Sequence, residues 1–319
     1  MRSKNYFLRI ALAIFLVLGE TFSTSSDAAG TGAPPAVLNL NDSTVFVYVT
    51  SNDFKLSHKS LTNWIDKSAR GISNYFGLFP VKKLNVFIYP SQGTGITYAE
   101  ARPENGSMIK VYLGVNSTER DLRRSWMLVH EMVHLGFTFT EDAQDWATEG
   151  LATYAEPFIR AQMGDQTNEE AWADMKKGLA QGLPQPDDKG LDHTRTWGRV
   201  YWGGALFYLI ADIQMRTQTQ YTKGLPDALK SIVQSGGNIE SNLTLTDVFK
   251  KADDGTKTKV LSNLYNRSAN SPIGADLDSL WKQLGISGQG ESLKLDKHAP
   301  LSKAREAIER GRADKHSAS

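Results

Sequence analysis

The stretch Trp126–Glu156, WMLVHEMVHLGFTFTEDAQDWATEGLATYAE, decides how the rest of the chain is interpreted. It contains His130, Glu131 and His134 in the pattern H-E-x-x-H, followed by Glu149. Residues four apart on an α-helix share one face, so both imidazoles can reach a single metal ion. Two histidines and one glutamate are the ligands of catalytic zinc sites that leave a fourth position open for water. The stretch therefore predicts one Zn²⁺ ion held by His130, His134 and Glu149, with Glu131 as the general base.

The surroundings of the motif favour this interpretation. Apolar residues at helical spacing accompany the two histidines: Trp126, Met127, Val129, Met132 and Val133. A second helix-like segment, which carries Glu149, comes at short range after it. The alternative is a pair of surface histidines on an amphipathic helix that binds no metal. Iron is a second candidate metal, because it also binds two histidines and a carboxylate.

Composition excludes several classes of protein. The chain has 319 residues, a formal net charge of +1 and no cysteine. With so small a net charge, no bulk field draws the protein to nucleic acid or to an anionic membrane. Without cysteine there are no disulfides and no thiolate metal sites, so any metal is held by histidines and carboxylates.

The N-terminus predicts an export signal over residues 1–29. Basic residues precede the apolar run Ile10–Gly19, which is too short to span a bilayer comfortably, and small polar residues come after it. We expect cleavage near Ala28 or Ala29 and no stable membrane span afterwards, although an uncleaved N-terminal anchor is the alternative. An exported chain without cysteine suits a bacterial periplasm, or secretion.

Alternating apolar patterns predict a small sheet in the first part of the chain. Residues 45–49, 84–89 and 108–113 are expected to be strands, and residues 58–76 a helix. Residues 30–43, rich in Gly, Pro and Ser, are expected to be a linker. The predicted fold class is α+β, with a small mixed sheet layer followed by a mainly α-helical catalytic part.

Helical patterns dominate the second part. Thr118 begins a predicted helix that carries the H-E-x-x-H motif to about Leu135, and residues 197–215 form a long apolar helix on which Asp212 and Arg216 can pair. Thr153 and Glu156 lie one and two turns beyond Glu149, where either could orient a metal ligand. The predicted organisation is a signal peptide (residues 1–29), a sheet subdomain (30–118), a helical zinc-peptidase subdomain (119–285) and a charged, disordered tail (286–319).

Two runs resemble the gluzincin metallopeptidases, and within them the glycyl aminopeptidase family. The first is Glu149–Tyr154, EGLATY, and the second is Tyr201–Arg216, YWGGALFYLIADIQMR. The resemblance covers roughly residues 120–235. It implies a zincin-type domain that hydrolyses peptide bonds, in a short form without the C-terminal PDZ module of that family.

The resemblance also implies roles for individual residues. Tyr201 stands where the family places a tyrosine that donates a hydrogen bond to the tetrahedral oxyanion; Tyr208 and Tyr154 are its rivals. In related aminopeptidases an acidic residue upstream of the zinc helix holds the free amine of the substrate. Glu100 and Glu104 lie in a suitable place, but the Gly-x-Met-Glu-Asn pattern that carries this residue is absent.

Together these features predict an exported zinc metallopeptidase acting on peptides or proteins, with an aminopeptidase as one form. The first alternative is an endopeptidase with the same site, and the second is an inactive zinc-binding module of the cell envelope. A further candidate is His193, in a polar loop rich in Pro and Gly, as a substrate contact or a transition-state donor, although an exposed loop histidine is the simpler interpretation.

Overall fold

The computed structural model describes residues 34–104, 106–138 and 142–312. The predicted signal peptide, residues 1–29, lies outside the described residues. Within the described ranges, no helix combines the length and the apolar character needed to cross a membrane.

A five-stranded sheet opens the described chain, and three of its strands agree with the sequence prediction. Its strands are β1 (Ala36–Leu40), β2 (Ser43–Val49), β3 (Lys83–Ser91), β4 (Ile96–Arg102) and β5 (Ser107–Gly114). Their order across the sheet is β1-β2-β3-β5-β4, with β2, β3 and β5 parallel and both outer strands antiparallel to their neighbours. The prediction of a linker over residues 30–43 is wrong from Ala36 onward, because β1 pairs along its whole length with β2.

One face of the sheet is covered by helix α1 (His58–Phe76). Ser57 caps its N-terminus by accepting a hydrogen bond from the Ser60 amide at 3.1 Å, and Gly77 ends it with a φ of 77°. Leu61 and Ile65 are among its buried residues, in line with the apolar spacing of the sequence. The inward residues of the strands, such as Val86, are fully buried beneath it.

Helices make up most of the chain after β5. They are α2 (Glu119–Arg124), α3 (Met127–His134), α4 (Asp145–Gln162), α5 (Asn168–Leu179), α6 (Gly204–Gln218), α7 (Leu225–Gln234), α8 (Leu245–Thr256), α9 (Val260–Ser268), α10 (Leu277–Leu284) and α11 (Ser302–Arg310). Two-residue strands β6 (Ile286–Ser287) and β7 (Lys294–Leu295) pair between the last two helices. A mixed sheet followed by a mainly helical part confirms the predicted fold class.

The predicted helix over the H-E-x-x-H motif is broken in two. The capping box of Thr118 and Asp121 starts α2, as expected from the sequence, but Ser125 is extended with ψ 131°. Helix α3 then begins at Met127, behind Trp126, which makes no side-chain capping bond. The prediction of one continuous helix is therefore wrong, because α2 ends at Arg124 and α3 begins as a separate helix at Met127.

The predicted disordered tail is also wrong over residues 286–312. Helix α11 buries Ala304, Ala307 and Ile308 against the rest of the protein. Glu309 accepts a hydrogen bond from the Trp172 indole of α5 at 2.9 Å. The low apolar content of this segment hides a short helix whose few apolar residues all share one face.

A buried ion pair joins the middle of the helical part to its C-terminus. Arg216 Nε lies 2.9 Å from Asp212 Oδ1, as the four-residue spacing predicted, and the side chains are 3% and 1% exposed. Asp212 also accepts hydrogen bonds from the Tyr154 hydroxyl at 2.8 Å and the Leu225 amide at 2.7 Å. The Arg216 guanidinium donates in turn to the Gly311 carbonyl. This network connects α4, α6, α7 and the end of α11.

Candidate metal centre

Helices α3 and α4 bring the three predicted ligands together. His130 Nε2 lies 3.1 Å from Glu149 Oε2, and His134 Nε2 lies 3.8 Å from the same oxygen. The two imidazole rings are edge to face, with centroids 5.0 Å apart. One ligand atom from each residue lies within 4.8 Å of the others. This group could hold a metal ion, and its donor set of two imidazoles and one carboxylate fits Zn²⁺.

The charges of the ligands suit a cation. Burial opposes ionisation of Glu149, but His134 and His130 outweigh it and hold the pKa of Glu149 at about 2. Burial lowers the pKa of His134 to about 4, so its ring is neutral at neutral pH. Burial also disfavours a charge on His130, yet its hydrogen bond with Glu149 raises the pKa of His130. A neutral imidazole and an ionised carboxylate are the forms that bind metal.

Glu131 lies between the ligand group and the edge of the sheet. Its Oε2 accepts a hydrogen bond from the Ala101 amide of β4 at 2.9 Å. Burial raises the pKa of Glu131 to about 8; Glu149 and Glu100 also raise it, while His130 and the Ala101 bond lower it. A carboxylate that exchanges its proton near neutral pH is suited to general-base chemistry.

Strand β4 is an outer strand of the sheet, and Ala101 presents its amide away from β5, toward Glu131. Strand β4 pairs only with β5, so its other edge is free. Its neighbour β5 is paired on both sides, with β3 and with β4. A free strand edge can accept an extended peptide as an additional strand.

Tyr201 reaches the ligand group from a π-helical segment, Arg199–Gly203, that precedes α6. Its ring is nearly parallel to that of His130, with centroids 6.3 Å apart, and it stacks on Trp197 at 5.5 Å. Burial, and after it the carboxylate of Glu149, raises the pKa of Tyr201, so the phenol stays protonated beside the ligand group. The sequence predicted an uninterrupted helix here; π segments frequently occur at functional sites.

The hydroxyls of the two rival tyrosines, Tyr208 and Tyr154, form hydrogen bonds away from the ligand group. Tyr208 donates to the Ala147 carbonyl at 2.9 Å, and Tyr154 donates to Asp212 at 2.8 Å; both are buried. Tyr201 is therefore the one of the three whose hydroxyl meets the ligand group.

Helices α4 and α6 touch through their backbones beside the site. A Cβ atom on Gly150 would lie 2.3 Å from Gly204 Cα, and one on Gly204 would lie 2.1 Å from the Trp146 carbonyl oxygen. Such distances are closer than side chains tolerate, so only glycine fits at either position. Gly150 follows Glu149 directly, and Gly204 follows the π segment that contains Tyr201. The contact between the two glycines therefore brings Tyr201 close to Glu149.

The remaining candidates, Glu100, Glu104 and His193, differ in their partners and exposure. Glu100 forms an ion pair with Arg102 on β4 and is close enough to raise the pKa of Glu131. Glu104 is exposed in the loop after β4. His193 pairs through Nε2 with the Asn270 side chain at 2.8 Å. Of the three, Glu100 is the one that raises the pKa of Glu131.

The two outer candidates on α4, Thr153 and Glu156, are both buried. Thr153 is 9% exposed, and Glu156 accepts a hydrogen bond from Arg160 at 3.0 Å, with burial raising the pKa of Glu156 to about 7. Sequence reasoning missed Arg160 and the Ala101 amide. Arg160 could have been noticed in the sequence, because an arginine within an apolar helical run must find partners for its charge.

Comparison with known proteins gives structural matches only. No protein-family model matches the sequence, and no curated protein matches it. An M1 zinc metallopeptidase from Deinococcus radiodurans is 17% identical, with a TM-score of 0.47 over 75% of this chain and 53% of that one. A two-domain M1 zinc metallopeptidase variant bound to L-arginine is 16% identical, with a TM-score of 0.47 over 76% and 53%.

A third solved structure is more similar in fold. An aminopeptidase N family protein from Idiomarina loihiensis is 12% identical, with a TM-score of 0.52 over 79% of this chain and 49% of that one. The chain spans about half the length of the solved structures it matches. Over that span, its fold is that of the aminopeptidase N family protein.

Proposed function

We propose that the protein is an exported zinc-dependent metallopeptidase that hydrolyses peptide bonds. The observation that carries this proposal is the position of the Glu131 carboxylate, between the ligand group and the free edge of β4, whose Ala101 amide it contacts at 2.9 Å. The fold shared with an aminopeptidase N family protein supports a hydrolase of this kind.

His130, His134 and Glu149 would hold the ion. Bound Zn²⁺ supplies Lewis acidity, which makes water acidic and a carbonyl electrophilic. Glu131 takes the proton from the attacking water and later delivers it to the leaving amine. Tyr201, whose protonated phenol lies beside Glu149, would donate its single hydroxyl proton in a hydrogen bond to the developing oxyanion. An extended substrate adds to the edge of β4, which places its backbone beside Glu131.

Removal of one ligand tests the metal site directly. We expect Glu149→Ala to abolish stoichiometric zinc binding, because two histidines alone leave a site with too few donors. Metal content after dialysis, measured by plasma mass spectrometry, should fall from one ion per chain to none. Glu169→Ala, an exposed substitution on α5, is the control and should keep one ion. Full occupancy of Glu149→Ala would refute the ligand assignment.

The type of cleavage separates the two peptidase hypotheses. A mixed peptide library is incubated with the zinc-loaded protein, and the cut positions are determined by mass spectrometry. Sequential loss of N-terminal residues supports an aminopeptidase, and internal cuts support an endopeptidase. Of the two candidates for amine binding, Glu100 is the one that acts on Glu131, and it is already paired with Arg102, which favours the endopeptidase. One bound zinc without cleavage would leave the inactive envelope module.

Glu100 gives a sharper version of the same test. If it binds a free amine, Glu100→Gln should lower kcat/KM for peptides with a free N-terminus by roughly tenfold or more, because a charged hydrogen bond is lost. Acetylated peptides should be unaffected, and Glu104→Gln in the exposed loop should change neither. Equal effects on free and acetylated peptides would exclude amine recognition by Glu100.

A further inference from the structure

One guanidinium group holds the break between α2 and α3 against α4. Arg160 of α4 is 7% exposed, and its Nη2 donates to the carbonyl oxygens of Arg123 and Arg124 at 3.4 and 3.2 Å. These carbonyls end α2, where helical carbonyls lack intrahelical partners. Nη1 donates to Glu156 at 3.0 Å. A single buried side chain therefore satisfies the end of α2 and fastens it to α4.

Both ends of this connection lead to the metal ligands. On α4, Glu156 lies seven residues after Glu149, which is two helical turns along the same face. On the other side, α3 starts at Met127, three residues after Arg124, and carries His130 in its first turns. Because α3 is eight residues long and has no side-chain cap at its start, its position depends on contacts from outside the helix.

We propose that Arg160 is a positioning residue for the metal centre. By fixing the α2–α3 break on α4, it sets the distance between the imidazoles of α3 and Glu149 of α4. Glu156 orients the guanidinium fork and balances its charge. The inference rests on the proposed metal site, whose ligands Arg160 positions without touching the ion.

A lysine at this position tests the proposal. Arg160→Lys keeps a positive charge opposite Glu156, but a single ammonium group cannot span the carboxylate and both carbonyls. We expect the Kd for Zn²⁺, measured by competition with a chelator, to rise by roughly 10–100-fold, as it does when groups that orient metal ligands are lost. The absorption spectrum of the Co²⁺-loaded protein, which reports ligand geometry, should change as well.

Arg305 provides a matched control. It is 2% exposed, and it donates to Glu309 at 2.7 Å and to the carbonyls of Leu284 and Asp296 at 3.0 and 3.3 Å. It therefore makes the same kinds of bonds as Arg160, but in the C-terminal segment. Arg305→Lys should lower the thermal stability of the apo-protein without changing the Kd for Zn²⁺ or the Co²⁺ spectrum.

The outcomes separate positioning from plain stability. If Arg160→Lys lowers Tm but binds Zn²⁺ as tightly as the unaltered chain, with a superimposable Co²⁺ spectrum, the proposal is overturned. If Arg160→Lys does not fold, the double variant Glu156→Gln/Arg160→Gln, which removes both buried charges together, carries the same prediction.

Metal binding by the unaltered chain shows whether a failure concerns this inference or the proposed function. If it binds neither Zn²⁺ nor Co²⁺, both fail. If it binds metal and the Arg160 variant binds it more weakly, the inference is supported even when no peptide is cleaved.

Discussion

Replacing Glu131 by glutamine should lower kcat by roughly 10²–10⁴-fold while leaving one zinc ion bound. Glutamine keeps the shape of the side chain and can still meet the Ala101 amide through its carbonyl oxygen, but it cannot accept a proton from water. The loss corresponds to about 2.7–5.4 kcal/mol of transition-state stabilisation. It should appear in kcat rather than in KM, because the proton moves only on the way to the transition state.

The measurement is steady-state hydrolysis of a peptide identified in the library experiment, with zinc content determined on the same sample. Glu169→Gln, which makes the same chemical change at an exposed position of α5, should keep full activity. A zinc-loaded Glu131→Gln protein with unaltered kcat would disprove the mechanism. A variant that loses zinc would show instead that Glu131 supports the ligands.

The largest effect on stability is expected at Asp212. Asp212→Ala leaves Arg216, 3% exposed, without its carboxylate, and it removes the acceptor of the Tyr154 hydroxyl and of the Leu225 amide. Removing one member of a buried pair costs about 3–5 kcal/mol. For a domain of this size that corresponds to a fall in Tm on the order of 10 °C.

Differential scanning fluorimetry or calorimetry of the apo-protein gives the comparison. The matched control is Asp66→Ala, which removes the partner of Arg70 in an ion pair with the same four-residue spacing and a distance of 2.8 Å. Because the Arg70 side chain is 57% exposed, we expect a change of at most about 1 kcal/mol. Equal losses from the two substitutions would mean that burial of the Asp212 pair contributes nothing to stability.

The ligand group could be predicted from the sequence because its geometry is local. The four-residue spacing of His130 and His134 is a property of any α-helix, and Glu149 lies within the same helix–loop–helix unit. The same holds for the Asp212–Arg216 pair and for the core residues of α1. Where periodicity alone sets the arrangement, the prediction and the structure agree.

Features that depend on distant partners were not predictable in this way. Strand β4 becomes an edge because β5 inserts between β3 and β4, and the alternation of residues within a strand does not determine that order. Helix α11 looked like a solvated tail because its partners, such as Trp172 of α5, lie far away in the sequence. The α2–α3 break is stabilised by Arg160, which lies 36 residues beyond Arg124.

The contact between Gly150 and Gly204 has a consequence for the thermodynamics of the site. Where two helices meet backbone to backbone, no rotamers remain to be frozen at the contact when substrate binds. The separation of Glu149 and Tyr201 is thus already established in the free protein, and ordering these two groups adds little to the entropy lost on binding. The phenol that we propose as the donor to the transition state therefore already stands beside the ligand group before the substrate arrives.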